Sequence, residues 1–395
     1  TMWRKITNTS LSVKITGLSL AVLFFMGAVS FYSIHRLASE YKHQVNDQFE
    51  TYAVDLGEKI TAQLYERYGD VQAFAKNDVM YTMNWSKIQS RLDEYVSLYG
   101  IYDLIVVLDT RGNLISVNSK DVAGVPVNSK ELEKFKFSEA PWFKAALEGR
   151  FTEDKKNNYS GTFIEDFIDD PLMKVAFGEN RYSTSFSAPI KDAKGQVIGV
   201  ISNRAGKRWF ESELTQTYDK LHKIGYSDLE LTVVNKDGKM ISFVDGDGGK
   251  MHIVTDPKQI LNEDFLNGHA GVSAIFANQK TGAVESKYAS DSDTDLVGFH
   301  AIDNPKAIAS MGWVTFVHDN LEEAYQEANA AIYSFYIVMA VSFGFCLGFA
   351  LWASRTISNS LAVSSRSLDD NAKEVLQAAE KIAVLNRISG AAIGS

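Results

Sequence analysis

Apolar positions follow three patterns along this chain. Two runs, Ile15 to Ile34 and Ala331 to Ala353, are apolar throughout and carry no charge. A helix rises about 1.5 Å per residue, so about 20 apolar residues cover ~30 Å of hydrocarbon, and each run is long enough to span it. From Leu37 to Lys87 apolar residues instead return every three or four positions: Tyr41, Val45, Phe49, Tyr52, Leu56, Ile60, Leu64 and Tyr68. That period puts them on one stripe of a long helix, which needs a folded domain or a partner helix to cover it.

Beyond this helix the period becomes that of strands. Residues 102–109, a turn at 110–113 and residues 114–117 predict a hairpin, and 229–235, 236–239 and 240–243 repeat it. A second pattern also occurs twice. Strands at 186–190 and 196–201 precede a helix through Trp209, Phe210 and Leu214; strands at 296–302 and 312–317 precede a helix from Leu321. The reading is an α+β fold, with a long N-terminal helix and two tandem antiparallel-sheet modules.

The expected division is a 1–14 cytoplasmic tail, transmembrane helix 15–34, and a membrane-emergent helix with its connection over 35–99. A membrane-distal module with the ligand pocket covers 100–220 and a membrane-proximal module 221–330. Transmembrane helix 331–353 and a cytoplasmic coiled-coil helix 354–395 follow. The first apolar run exceeds the ~7–15 residues of a cleaved signal, so an uncleaved anchor is expected despite the small residues Ala28-Val29-Ser30. Arg4, Lys5 and Lys14 precede the first span and Arg355 and Arg366 follow the second, which places both termini in the cytoplasm.

A net charge of −9 without a basic stripe argues against nucleic-acid binding. The one cysteine, Cys346, lies in the second apolar run, so the domain between the runs has no disulfide and no thiolate metal site. Acidic turns at 245–250 and 291–295 lack calcium-loop spacing and read as solvated turns, and no histidine pair shares a helical face. No nucleophile, phosphate-loop or dinucleotide motif occurs, so neither an enzyme, a cofactor nor a metal is expected.

Residues 37–353 resemble the double Cache sensor domains of bacterial transmembrane receptors, built from two PAS-like modules. The likeness rests on the strand-turn-strand run 186–200, the run 312–325 before the second membrane helix, and AlaProTrpPheLysAlaAlaLeuGluGly at 140–149. By this resemblance Trp142 and Phe143 border the distal pocket, although plain core packing explains them equally well. Amino-acid sensors of this family carry an Arg two residues before the Trp and an Asp after the sixth strand. Here Ala140 stands in the first place and Asn203 with Arg204 near the second, which counts against a simple α-amino acid.

Asn203 and Arg204 close an apolar strand and need polar partners, either a ligand or a carboxylate such as Glu211. Tyr182 and Asp166 complete the candidate ligand set. An Arg at this wall suits an anion, so a carboxylate-bearing metabolite is expected, and Arg204 is expected to contribute little to the unliganded fold.

In the tail, Leu361, Leu368, Val375 and Ile382 recur every seven residues, with Ala372 and Ala379 between them, the seam of a coiled coil and so of a homodimer. The alternative is a helix lying on the membrane surface, which would want more Lys and Arg. Residues 368–382 resemble the start of a methyl-accepting signalling helix entered without a HAMP module, and the Thr1-Met2 start suggests a fragment. The resemblance as a whole is to a methyl-accepting chemotaxis receptor of the bacterial inner membrane, two-pass, ending before its signalling hairpin. It implies small-molecule sensing in the periplasm or outside, and a chemotaxis kinase and adaptor reached through the region beyond Ser395. The alternatives are the input region of a histidine kinase or diguanylate cyclase, and a membrane-anchored structural binding protein.

Overall fold

One uninterrupted helix, Leu11–Ala75, opens the chain in the computed structural model, which describes residues 11–288, 293–303 and 309–392. Arg4, Lys5, the Thr1-Met2 start, Asp291 of the acidic turn 291–295 and Ser395 lie outside the described residues. The helix stops earlier than the expected Lys87. Asn77 and Asn84 each accept a backbone N–H with their side chains, from Val79 and Lys87, and between them Met83 turns left-handed at φ 44°. Such side-chain bonds compete with helix continuation and cap new starts. A single 3-10 turn, Asp78–Thr82, therefore precedes a second helix, Trp85–Tyr99, which ends on Gly100 at φ 68°.

Five strands follow: β1 (Tyr102–Asp109), β2 (Leu114–Val117), β3 (Phe163–Asp169), β4 (Tyr182–Lys191) and β5 (Val197–Ala205). They form an antiparallel sheet in the order β2-β1-β5-β4-β3. The helix Arg208–His222 leads to a second sheet of β6 (Glu230–Val234), β7 (Met240–Asp247), β8 (Lys250–Ile253), β9 (Thr281–Lys287), β10 (Thr294–Ala301) and β11 (Val314–Asn320). Its order is β8-β7-β6-β11-β10-β9. Without the edge strand β8, the two connectivities are the same, so the repeated sequence pattern is a repeated topology. The fold is α+β.

The long helix covers one face of both sheets. Phe49, Ala53, Leu56, Ile60, Leu64, Tyr68, Val71 and Phe74 are buried in one cluster with residues of each module. Burying a large apolar side chain of this kind contributes roughly 1.5–3 kcal/mol. The first half of the stripe meets the second module, where Thr315 Oγ1 donates 2.7 Å to the Ala53 carbonyl. The second half meets the first module. There Tyr68 Oη donates 2.6 Å to the Thr152 carbonyl, and Tyr102 Oη donates 2.6 Å to Asp70. Where helix and strand touch most closely, β10 carries Gly298, and a Cβ at that position would overlap the backbone carbonyl of Phe49.

Period-two alternation assigns the faces of the first sheet. Ile105, Val107, Phe186 and Ile201 point to the long helix. Leu104, Val106, Leu108 and Val200 point the other way, into a separate cluster with Trp142, Phe143, Leu172 and Met173. The modules meet at Trp313, whose ring stacks at 6.1 Å on Trp209 and whose Nε1–H donates 2.6 Å to Asp166.

The helical segments up to Lys42 and from Glu327 form a unit of their own. Both the first helix and the last, Gln326–Ala392, are long and apolar enough to cross a membrane. Phe24, Phe25, Phe345 and Trp352 are all more than half exposed there.

Two glycines of this architecture behave oppositely on substitution. Gly298→Ala forces strand and helix apart, and the expected loss is about 1–3 kcal/mol, the range for an overpacked core. Gly69→Ala on the open side of the helix meets nothing within 4 Å and gains up to about 1 kcal/mol of helix propensity. Melting curves of the two variants check both signs.

Candidate functional site

The outer face of the first sheet is roofed by two short helices. Pro141–Glu148 begins with Pro at N1 and ends on Gly149 at φ 71°. Pro171–Phe177 is capped by Asp170, whose Oδ1 accepts from Leu172 N at 2.8 Å and Met173 N at 3.4 Å. Between helices and sheet lies a cavity of about 610 Å³ lined by Trp142, Glu165, Ile168, Asp170, Leu172 and Val175 among others. That volume suits a small metabolite.

Arg204 lies behind that lining, against Trp142 and Asp170. Its side chain is 1% exposed, and its guanidinium carbon lies 4.3 Å over the Trp142 ring. Nε is 3.2 Å from Asp170 Oδ2, NH2 is 4.0 Å from Glu165 Oε2, and NH1 donates to Ser202 Oγ. A row of buried serines continues the polar layer behind the lining. Ser183 donates to Asp170 at 2.6 Å, Ser185 donates to Glu165 at 3.0 Å, and Ser187 meets Ser202 at 2.6 Å. Burial lifts the Glu165 carboxyl above the ordinary range against the opposing pull of Arg204.

These contacts revise the part expected of Arg204. Its charge is already met by the buried Asp170, so the residue belongs to the unliganded fold and stands behind the cavity lining rather than in it. At the rim, Lys134–Glu131 and Lys136–Glu139 pair at 2.6 and 3.5 Å and cancel. Apart from these pairs, the lining carries the two carboxylates Glu165 and Asp170, with the Arg204 guanidinium behind them.

The other candidates divide. Trp142 lines the cavity, whereas Phe143 is 2% exposed within the hydrophobic cluster behind it. Asn203 pairs in register with Ile105 and Phe186, so it points to the long-helix face, opposite the cavity. One residue of strand parity separates it from Arg204. Asp166 is held by Trp313 at the junction of the modules, where burial raises its carboxyl and the indole N–H opposes the rise. Tyr182 stacks on Phe167 at 5.8 Å, also outside the cavity lining. Glu165 and Asp170 escaped sequence reading; the Asp-Pro pair opening a helix at 170–171 was the available signal for the second.

No family model matches the sequence, and no curated protein matches it. Among solved structures, the ligand-binding domain of the Pseudomonas fluorescens chemoreceptor CtaA in complex with L-leucine is 15% identical at a TM-score of 0.45, covering 73% of this chain and 99% of that one. The Pseudomonas aeruginosa PctB domain in complex with L-Arg is 14% identical at 0.42, covering 72% and 96%. The extracellular domain of rpHK1S-Z16, described as a histidine kinase, is 12% identical at 0.44, covering 70% and 94%. None of these likenesses is close enough to carry a function, which rests on the residues.

Removing one partner of a buried ion pair strands the other charge and costs about 3–5 kcal/mol. Asp170→Asn is therefore expected to destabilise the unliganded protein on that scale. The double variant with Arg204→Met should lose less than the sum of the single losses. A double-mutant cycle read from melting curves checks it, and strictly additive losses would contradict the pairing.

Proposed function

We propose that the chain is the sensory and transmembrane part of a bacterial chemotaxis receptor, taking a small molecule in the first-module cavity outside the inner membrane. One observation carries the reading. Each of the two helices long enough to span a membrane is continuous with the fold that holds the cavity. The first helix supplies the stripe under both sheets, and β11 runs through Leu321–Ala324 into the last helix. A ligand that prefers one arrangement of the sheets thereby biases both helices, by as much as its affinities for the two arrangements differ.

The tail supports a homodimer. Leu361, Leu368, Val375 and Ile382 are 47–70% exposed in the single chain, a seam without a partner from its own helix. A second copy of the chain covers it in a parallel coiled coil. That seam favours a receptor over a structural anchor, which has no use for a heptad repeat continued past the membrane.

The ligand chemistry follows from which charges reach the cavity wall. Arg204 is buried behind the lining and paired with Asp170, whereas the Glu165 carboxylate lines the cavity and is partly exposed, so an amine-bearing molecule fits better than a simple carboxylate. The carboxylate expected from the isolated Arg204 gives way to this reading.

Topology tests the proposal. A reporter fused after Gly225 should be active only outside the inner membrane and one fused after Leu385 only inside. Cytoplasmic activity at both fusion points would end the receptor reading.

A further inference from the structure

We propose that the second module binds a divalent transition-metal ion of the zinc or nickel class through His269, Asp295 and His318. The three residues stand far apart in sequence, without helical metal-site spacing. The antiparallel register of β10 and β11 brings Asp295 opposite Asn320 and Val297 opposite His318, and the helix Ala270–Phe276 begins just after His269. One ligand atom from each residue lies within 4.8 Å of the others. Tetrahedral zinc with bonds near 2.0–2.1 Å asks for ligand atoms about 3.3 Å apart, so the ligand atoms draw together by up to about 1.5 Å on binding.

A second observation is independent of this spacing. His269 is 1% exposed, yet its Nδ1 has no hydrogen-bond partner among the described residues. A buried polar atom left so is costly unless something answers it. His318, also buried, sets Nδ1 at 3.3 Å from Glu230 and 3.9 Å from Asp295, while Nε2 lies 3.2 Å from Thr232 Oγ1. A metal-binding histidine is oriented by a hydrogen bond on its other ring nitrogen, and the Thr232 hydroxyl stands where it can serve His318 in that way.

The surrounding cavity, about 710 Å³, is lined by eight carboxylates and by no lysine or arginine among its described residues. The Asp245 and Asp247 of the turn read as solvated are among them. Two nitrogen donors with one carboxylate select zinc or nickel over calcium and magnesium, which take oxygen. Three protein ligands leave one position for water or a small anion.

The duplication gives the site a place in the fold. His318 stands on β11 opposite Glu230 of β6, as Arg204 stands on β5 opposite Leu104 of β1. Where the first module keeps a fixed cation, the second offers ligands for an exchangeable one. An ion there ties β10 to β11, the strand that leads into the last helix. The site stands independently of any ligand in the first cavity.

The test uses the full chain in detergent, stripped with a chelator, and then titrated with Zn²⁺, Ni²⁺, Ca²⁺ or Mg²⁺ by calorimetry and thermal melting. Zn²⁺ and Ni²⁺ should bind one per chain and raise the melting midpoint, while Ca²⁺ and Mg²⁺ at the same concentration should not. His269→Gln and Asp295→Asn should each weaken Zn²⁺ binding at least tenfold. His269→Gln also removes ring packing on Phe265 and Tyr288, so its metal-free midpoint is recorded beside that of the parent. If that variant folds poorly, Asp295→Asn on the half-buried strand end decides. Zn²⁺ without effect, Zn²⁺ binding unchanged by both substitutions, or Ca²⁺ binding as well as Zn²⁺ would each overturn the proposal.

Discussion

The whole soluble fold depends on one stripe of one helix. Phe49, Leu56, Ile60, Leu64, Val71 and Phe74 are buried with no exposed side chain among them, and they share a single core with the sheets of both modules. Neither sheet could keep its long-helix face dry without that stripe, since an antiparallel sheet with two apolar faces needs a layer on each. The close approach is built into small residues, Ala53 on the helix and Gly298 on the strand. Because the helix continues unbroken to Leu11, the element that closes the core is also the element long enough to cross a membrane.

On this frame the two modules carry the same topology with different chemistry. The first keeps a guanidinium buried against Trp142 and paired with Asp170 behind the cavity lining. The second replaces it with imidazoles facing carboxylates, and burial and the neighbouring Glu323 push Asp319 there up to about 7. Raised carboxyl and depressed imidazole values in one cavity have one cause, the loss of hydration for charged forms. The first module thus carries its own buried ion pair, whereas eight carboxylates and no lysine or arginine stand among the described lining residues of the second cavity.

Much of this was legible in sequence because it is periodic. The three-and-four spacing from Val45 to Tyr68 marked the stripe, and the turns at Gly112 and Gly238, both with positive φ, marked the hairpins. The site was less legible, since it depends on strand parity and on contacts across the chain. Asn203 and Arg204 are neighbours in sequence but point to opposite faces. Asp166 is taken by Trp313, 147 positions away. The early end of the long helix came from the capping amides of Asn77 and Asn84, short-range chemistry that the apolar stripe masked. His269 and His318 meet only through the register of the second sheet and the helix beside it.

Glu165, with Arg204 already paired, is proposed to answer the amine of a small molecule in the first cavity. The most direct measurement is a thermal-shift comparison of the full chain in detergent against Glu165→Gln. Both are challenged with matched sets of amine-bearing metabolites and of dicarboxylates lacking an amine. The account predicts stabilisation of the parent by a member of the amine set and none by the dicarboxylates. Ligand at a hundredfold excess over its Kd gives about 2.7 kcal/mol, and the effect should vanish in Glu165→Gln. Stabilisation by a dicarboxylate that survives Glu165→Gln would contradict it.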